Sequence, residues 1–366
     1  MSGDGALIFT APVAPPFLPE YRASGLLMHV TSLPSPYGIG DLGSSAFSWI
    51  DRLHQAGQAW WQALPLGPTG YGNSPYQAVS SFAGNELLIS PDSLIADGLL
   101  QASDAQSQFP ADAVDYDSVI PFKRRLLEKA WANFKAGCSA RDLATAYDEF
   151  CATQAHWLED YALFFALKEK YRGAYYLDWP VELVQRSASV LAEARRELAS
   201  QIDQVRFAQF LFFRQTDQLK EHAHGQGVGL IGDLPFFVSP DSSDVWANPE
   251  LFLLDAQHRP RFVAGVPPDY FSAKGQLWGN PVYNWDASRD GLPVVHRSVA
   301  RSAGSRRCDS LRPLSGVRGC VVRSSRSADG SVRAVGGGSG SQLFSSSANR
   351  SRPSTIHRGR FGCDYG

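Results

Sequence analysis

Tyr71, Ser74 and Tyr76 lie in PLGPTGYGNSPYQAVSSFAGNELLI, a stretch too rich in Gly and Pro for a helix. Glycine admits backbone conformations that larger residues cannot, so such a loop can hold rings and hydroxyls against a ligand. The same composition also describes an ordinary surface loop. Asp233 closes the apolar run VGLIGD, just before LPFFVSPDSSDVWANPELF. A carboxylate there either binds a hydroxyl of a ligand or caps the following turn. A third stretch, AGVPPDYFSAKGQLWGNPVYNWD, gathers Tyr270, Phe271, Trp278, Tyr283 and Trp285 among Pro and Gly with little periodicity. So many rings in a short aperiodic stretch suit a platform for sugars: the apolar face of a pyranose stacks while its hydroxyls bond to Asp and Asn. His29, on an apolar run before TSLP, reads as a packed strand residue rather than a catalyst.

The elements that must position these residues follow one rhythm. SGLLMHVTSLPSPYGIGDLG opens with a short apolar run that stops at Pro and Gly, a strand feeding a long loop. SSAFSWIDRLHQAG then predicts a helix with Phe47, Ile50, Leu53 and His54 on one face and Gly57 as its stop. AWWQALPLG is a second strand and loop, and residues 91–200 read as polar and helical, most periodic in DYALFFALKEKYRG. FAQFLFFRQTDQLKEHAHGQG predicts a further helix, and VGLIGDLPFFVS a third strand ending in a polar loop. Strands alternating with helices imply an α/β fold with a parallel sheet, and in a barrel of that kind the loops after the strands build the site. About three such strands precede residue 291, fewer than a closed eight-stranded barrel needs.

Composition narrows the partners. The chain has 366 residues, 44% hydrophobic and 12% aromatic, with a net charge of −2. That balance hides a division: from His296 onward there are 13 Arg against 3 Asp, a surplus of ten, which leaves −12 for residues 1–295. The acidic part is a poor surface for nucleic acid. No run of 18 apolar residues exists and the first 25 residues have no signal-peptide pattern, so no membrane partner is expected. Cys138 and Cys151 are the cysteines outside the basic segment, none with metal-ligand spacing, which points to a reducing cytoplasm.

The motifs TSLPSPYGIGDLG, WWQALPLGPTGYGNSPYQ, IGDLPFFVSPDSSDVWANPELF and VAGVPPDYFSAKGQLWGNPVYNWD resemble those of the bacterial 4-α-glucanotransferases, also called amylomaltases or disproportionating enzymes. The resemblance runs from about Tyr21 to Gly291. It implies the first part of a (β/α)8 TIM barrel with a helical insertion at about 91–200, preceded by a flexible segment over 1–20. It also implies a cytoplasmic enzyme without cofactor or metal. Such an enzyme moves α-1,4-glucan segments from maltooligosaccharides to the 4-hydroxyl of glucose or another glucan. Carried over by position, Tyr71, Ser74, Tyr76, Asp233, Trp278 and Asn280 lie along the glucan site, and Asp269 belongs to a loop folding over the bound chain.

The resemblance also implies residues that are not found. A retaining mechanism needs a nucleophilic carboxylate and an acid/base carboxyl about 5–5.5 Å apart. Family members carry the nucleophile in a string like RLDHFRGF and the acid/base in one like IAEDLG, and neither occurs in these 366 residues. Beyond residue 291 the sequence turns to Arg, Ser and Gly, without Lys, Glu or Trp. Yet CDSLRPLSGVRG, residues 308–319, read one base later in each codon, admits Ala-Ile-Arg-Leu-Asp-His-Phe-Arg-Gly-Phe, the Asp codon straddling Arg312 and Pro313. By the same offset STIHRGRFGCDYG admits Leu-Pro-Phe-Ile-Ala-Glu-Asp-Leu-Gly-Val-Ile-Thr, the Glu straddling Gly359 and Arg360. LPVVH, residues 292–296, admits Tyr-Arg-Trp-Phe-Ile. One offset serving three separated stretches points to a single-base insertion near the Gly291 codon. Residues 292–366 are then expected to be an out-of-frame, disordered tail, and the chain inactive. Two alternatives stand beside this: a non-catalytic glucan-binding protein, and a genuine basic tail that binds RNA.

Overall fold

A computed structural model describes residues 22–138, 141–233, 235–268, 270 and 272–284, with the backbone alone for Tyr71, Arg141 and two short segments, 310–312 and 321–324. The first sheet holds β1 (Gly25–Leu27), β2 (Trp60–Gln62), β3 (Gly229–Asp233) and β6 (Ser310–Arg312), in that order and all parallel. The sequence-derived strands β1, β2 and β3 thus stand side by side. Gly25 pairs with Trp60, Trp60 with Gly229, and Asp233 with Arg312.

The connections are helical. Helix α1 (Ser44–Gln55) leads from β1 to β2, and buries Ala46, Ile50 and Leu53 at the spacing that puts side chains on one helical face. Gly57, at φ 67°, ends the segment in the left-handed conformation that glycine adopts without strain. His54, expected on the buried face, is instead exposed, and its Nδ1 lies 2.7 Å from the Gln226 carbonyl oxygen. The stripe is narrower than the apolar pattern suggested because a polar ring gains more from that bond than from burial.

Between β2 and β3 runs the helical insertion. It comprises α2 (Pro91–Ala96), α3 (Tyr116–Lys135), α4 (Arg141–Lys170), α5 (Val181–Val184), α6 (Ala188–Glu197) and α7 (Ala199–Gly225). Helix α7 buries residues on several faces, among them Phe207, Phe210, Leu211, Phe212 and Leu219, because it packs on α1, α3, α4 and the sheet. Two of its buried polar side chains hold loop backbone. Gln209 accepts from Gly84 N–H at 2.8 Å and donates to its carbonyl at 2.9 Å; Gln215 does the same for Ser90 at 2.7 and 3.3 Å. Each amide therefore satisfies both backbone polar groups of one buried residue, where an unpaired N–H or carbonyl would be costly.

After β3 come α8 (Ser243–Ala247) and a second sheet, in which β4 (Phe262–Val266) lies between β5 (Gln276–Pro281) and β7 (Val321–Ser324), antiparallel to both. This corrects the aperiodic loop expected over 264–286: Phe262–Val266 and Gln276–Pro281 pair as an antiparallel hairpin, their backbone groups satisfying one another. The expectation of a disordered tail falls mostly outside the described residues. The seven described residues beyond 284 are those of β6 and β7, whose backbones pair with the first and second sheet respectively.

The outer edge of β1 has no pairing partner among the described residues, and Leu26 and Leu27 are 46% and 59% exposed. The sheet is therefore open on that side, as three or four strands of a barrel must be. No helix among the described residues is long and apolar enough to cross a membrane.

Candidate functional site

The loop after β2 is a short hairpin of its own. Gly70 N–H donates to the Gln77 carbonyl at 2.8 Å, and Thr69 bridges Ala78. A single tight turn over Tyr71–Asn73 forms the tip, with Gly72 at φ 67° and Asn73 at φ 53°. Ser74 Oγ accepts from the Tyr76 N–H at 3.4 Å, which keeps these two residues in one turn. Tyr76 remains 41% exposed, and its hydroxyl donates to Asp233 Oδ2 at 2.9 Å. Partial burial and that carboxylate push the Tyr76 phenol up to about 12, so it stays a donor at neutral pH. The structure thus brings together two residues 157 positions apart, both at the C-terminal ends of parallel strands, where α/β folds place their ligands. A carboxylate has about four lone-pair sites, and among the described residues the Tyr76 hydroxyl occupies one of those on Asp233.

The remaining site candidates divide. Trp278, on β5, is 41% exposed, with its indole N–H donating to Gln276 Oε1 at 3.1 Å, so a ring face is open to solvent. Tyr270, between β4 and β5, is 97% exposed. Asn280 is buried, and its amide N–H donates to the Val238 carbonyl at 2.8 Å. Tyr283 is buried as well, its hydroxyl bonded to the Phe236 carbonyl at 3.1 Å, and belongs to the core rather than to an aromatic platform. These two residues lock β5 to the segment following Asp233. Asp269, Phe271 and Trp285 lie outside the described residues, as does the side chain of Tyr71. His29, expected on the first strand, lies two residues past the end of β1 at the start of the Val30–Ser32 turn; burial holds its imidazole down at about 4, so the ring is neutral.

Two further groups hold the site, and sequence reasoning passed over both. Asp241 accepts from Lys168 Nζ at 2.7 Å and from Tyr176 N–H at 3.2 Å, fastening the segment after β3 to the helical insertion. Asp244 is buried at the start of α8, where Oδ2 accepts from Ser81 N–H at 3.0 Å and from Ser243 Oγ at 3.5 Å. In SPDSSDVW a Ser-rich helix start reads as capping, and Ser242 does cap α8 through Val245 N–H. The bond from Asp244 to a loop 163 residues away leaves no local trace.

A separate apolar pocket between the sheet and α7 is lined by Val30, Leu42, Trp61, Leu219 and Leu230 among others. Its Thr216 hydroxyl is spent on the Phe212 carbonyl at 2.8 Å, so it offers little to orient a polar ligand. Among the described residues no cluster of His, Cys, Asp and Glu could hold a metal ion.

The sequence profile of the 4-alpha-glucanotransferases, glycoside hydrolase family 77, matches residues 28–292. The chain belongs to that family. It is 48% identical over 282 residues to the 4-alpha-glucanotransferase of Thermus thermophilus, a match covering 77% of this chain and 56% of that protein. With the 4-alpha-glucanotransferase of Synechocystis it shares 47% over 270 residues, 73% of this chain and 53% of the relative. The chain thus spans about half the length of these relatives. Its fold matches the amylomaltase from Streptococcus agalactiae in complex with acarbose, with a TM-score of 0.82 and 34% identity over 90% of this chain and 67% of that one. The open sheet of β1, β2, β3 and β6 is accordingly part of a glycoside hydrolase family 77 barrel.

Proposed function

We propose that this chain carries the glucan-binding part of a 4-α-glucanotransferase. In that reaction an α-1,4-glucan segment passes from a maltooligosaccharide donor to the 4-hydroxyl of glucose or another glucan by a retaining double displacement. The observation that carries the reading is the Tyr76–Asp233 bond, which sets a phenol and a carboxylate side by side at the ends of β2 and β3. Asp233 would accept sugar hydroxyls, Trp278 would offer a stacking face, and Tyr71, Ser74 and Asp269 would line the glucan path. Asn280 would act as a strut beneath it. The acarbose-bound state of the related amylomaltase supports a glucan-like ligand. We place the reaction in the cytoplasm, consistent with the free Cys138 and Cys151 thiols.

The nucleophile and acid/base strings are absent from this reading, and positioning without covalent and proton-transfer chemistry is not turnover. We therefore expect the 366-residue polypeptide to bind maltoheptaose without disproportionating maltotriose. The offset reading of 292–366 gains support from two observations. The family match stops at residue 292, and the backbone of Ser310–Arg312 runs beside β3, with Arg312 opposite Asp233. Read one base later, this strand would carry Arg-Leu and then the Asp, delivering a carboxylate to the strand end where Asp233 lies.

Three measurements test the proposal. Titration with maltoheptaose should give a saturable change in Trp fluorescence; a flat response would remove the glucan site. Glucose release from maltotriose should stay at blank, and robust release would overturn the expected inactivity. The nucleotide sequence across codons 285–366 should spell Asp-His-Phe-Arg and Ala-Glu-Asp-Leu in the neighbouring register, and its failure to do so would end the insertion hypothesis.

A further inference from the structure

We propose that Asp244 is a positioning residue for the glucan site: from the buried start of α8 it holds the base of the 68–81 loop, and so fixes where Tyr76 meets Asp233. The inference rests on the glucan-binding reading above.

The 68–81 loop meets the β3–α8 segment at two levels. At its tip, Tyr76 donates to Asp233. At its base, Ser239 N–H donates to the Ala78 carbonyl at 2.8 Å, and Ser243 N–H and Oγ donate to the Val79 carbonyl at 3.0 and 3.2 Å. Asp244 Oδ2 then accepts from Ser81 N–H at 3.0 Å. Of the four contacts at the base, three are neutral, whereas the one to Asp244 is charge-assisted when the carboxyl is ionised, the stronger kind.

The carboxylate is not there to favour the fold. Asp244 is 4% exposed, and its Oδ1 is buried without a hydrogen-bond partner among the described residues. Burial pushes its carboxyl up to about 6 against the pull of Ser81 and Ser243. An ionised group held half-satisfied in the interior is costly, and such groups cluster where a structure keeps a loop in place for function. The groups around it are the Ser81 N–H and hydroxyl, the Ser243 hydroxyl and the Tyr283 phenol, the titratable side chain whose own ionisation Asp244 opposes. Tyr76 lies in the hairpin closed by Gly70–Gln77 and Thr69–Ala78, and Ser81 follows three residues after Ala78, so slack at Ser81 reaches Tyr76.

The test uses the full chain and its Asp244→Ala and Asp244→Asn variants, read by amide hydrogen exchange of residues 69–82 and by maltoheptaose titration at pH 5 and 7.5. In the parent, loop exchange corrected for intrinsic rate should be slower at pH 7.5 than at pH 5, and maltoheptaose affinity about fivefold higher, the worth of charge assistance in one hydrogen bond. Asp244→Asn keeps an acceptor but no charge, so both readouts should become flat with pH at an intermediate level. Asp244→Ala should loosen the loop further, with exchange in α4 and α7 unchanged. Identical pH profiles in the parent and Asp244→Asn would overturn the proposal, as would unaltered loop exchange in Asp244→Ala. Should Asp244→Ala fail to fold, the parent and Asp244→Asn comparison still decides. A parent whose loop shows the pH dependence but which binds no maltoheptaose would sink the glucan reading and leave the clamp standing.

Discussion

Asp244→Asn should raise global stability at neutral pH relative to acid, although the carboxylate is part of a hydrogen-bonded clamp. The folded-state carboxyl titrates at about 6 against a usual 3.8. The folded chain therefore binds this proton more tightly than the unfolded chain does. The resulting contribution is most favourable below the unfolded value and is lost as pH rises toward 6 and above. A gap of about 2.2 pH units, at 1.36 kcal/mol each, makes the ionised side chain about 3 kcal/mol less favourable at pH 7.5 than in strong acid. About half of that, roughly 1.4 kcal/mol, accrues between pH 5 and 7.5. Asparagine has no such titration, and whatever fixed cost its amide N–H incurs beside the vacated Oδ1 position is the same at both pH values. Urea unfolding of parent and variant, followed by far-ultraviolet circular dichroism at pH 5 and 7.5, isolates the difference. The variant-minus-parent stability should increase by about 1.4 kcal/mol between the two. Parallel profiles, within about 0.5 kcal/mol, would mean that the buried carboxylate is not penalised, and the reasoning from its unpaired oxygen would be wrong.

Three other outcomes follow from named contacts. Lys123 Nζ lies 3.1 Å from Asp41 Oδ2 with both side chains nearly enclosed, and also donates to the Ile89 carbonyl at 2.8 Å. Lys123→Met should cost about 3–5 kcal/mol in urea unfolding by stranding Asp41, and Lys123→Met with Asp41→Asn should recover much of it, since an amide oxygen still serves Gly43 N–H. A Cβ on Gly84 would meet the Phe212 ring at 2.0 Å, so Gly84→Ala should lower stability by about 1–3 kcal/mol, partly rescued by Phe212→Leu in the same assay. Tyr76→Phe removes the donor to Asp233 from a half-exposed side chain; maltoheptaose affinity should fall about tenfold while the unfolding midpoint stays put.

Much of the scaffold could be read directly. VGLIGD and AWWQ are short apolar runs bounded by Gly and Pro, and both are strands; the period of DYALFFALKEKYRG is that of α4. These features are local, set by side-chain spacing along a few turns or residues. The motif stretches likewise located the loops in which Tyr76 and Asp233 sit, because Gly and Pro mark where regular structure must stop. The pairing of those two residues and the burial of Asn280 and Tyr283 depended on contacts between distant segments. Asp244 shows the division most clearly. Its neighbours in sequence announce a capped helix start, and only the packing of α8 against the loop after β2 makes its carboxylate a buried acceptor for Ser81. Local chemistry decides which backbone a segment adopts, whereas desolvation and long-range hydrogen bonding decide what a polar side chain in it does.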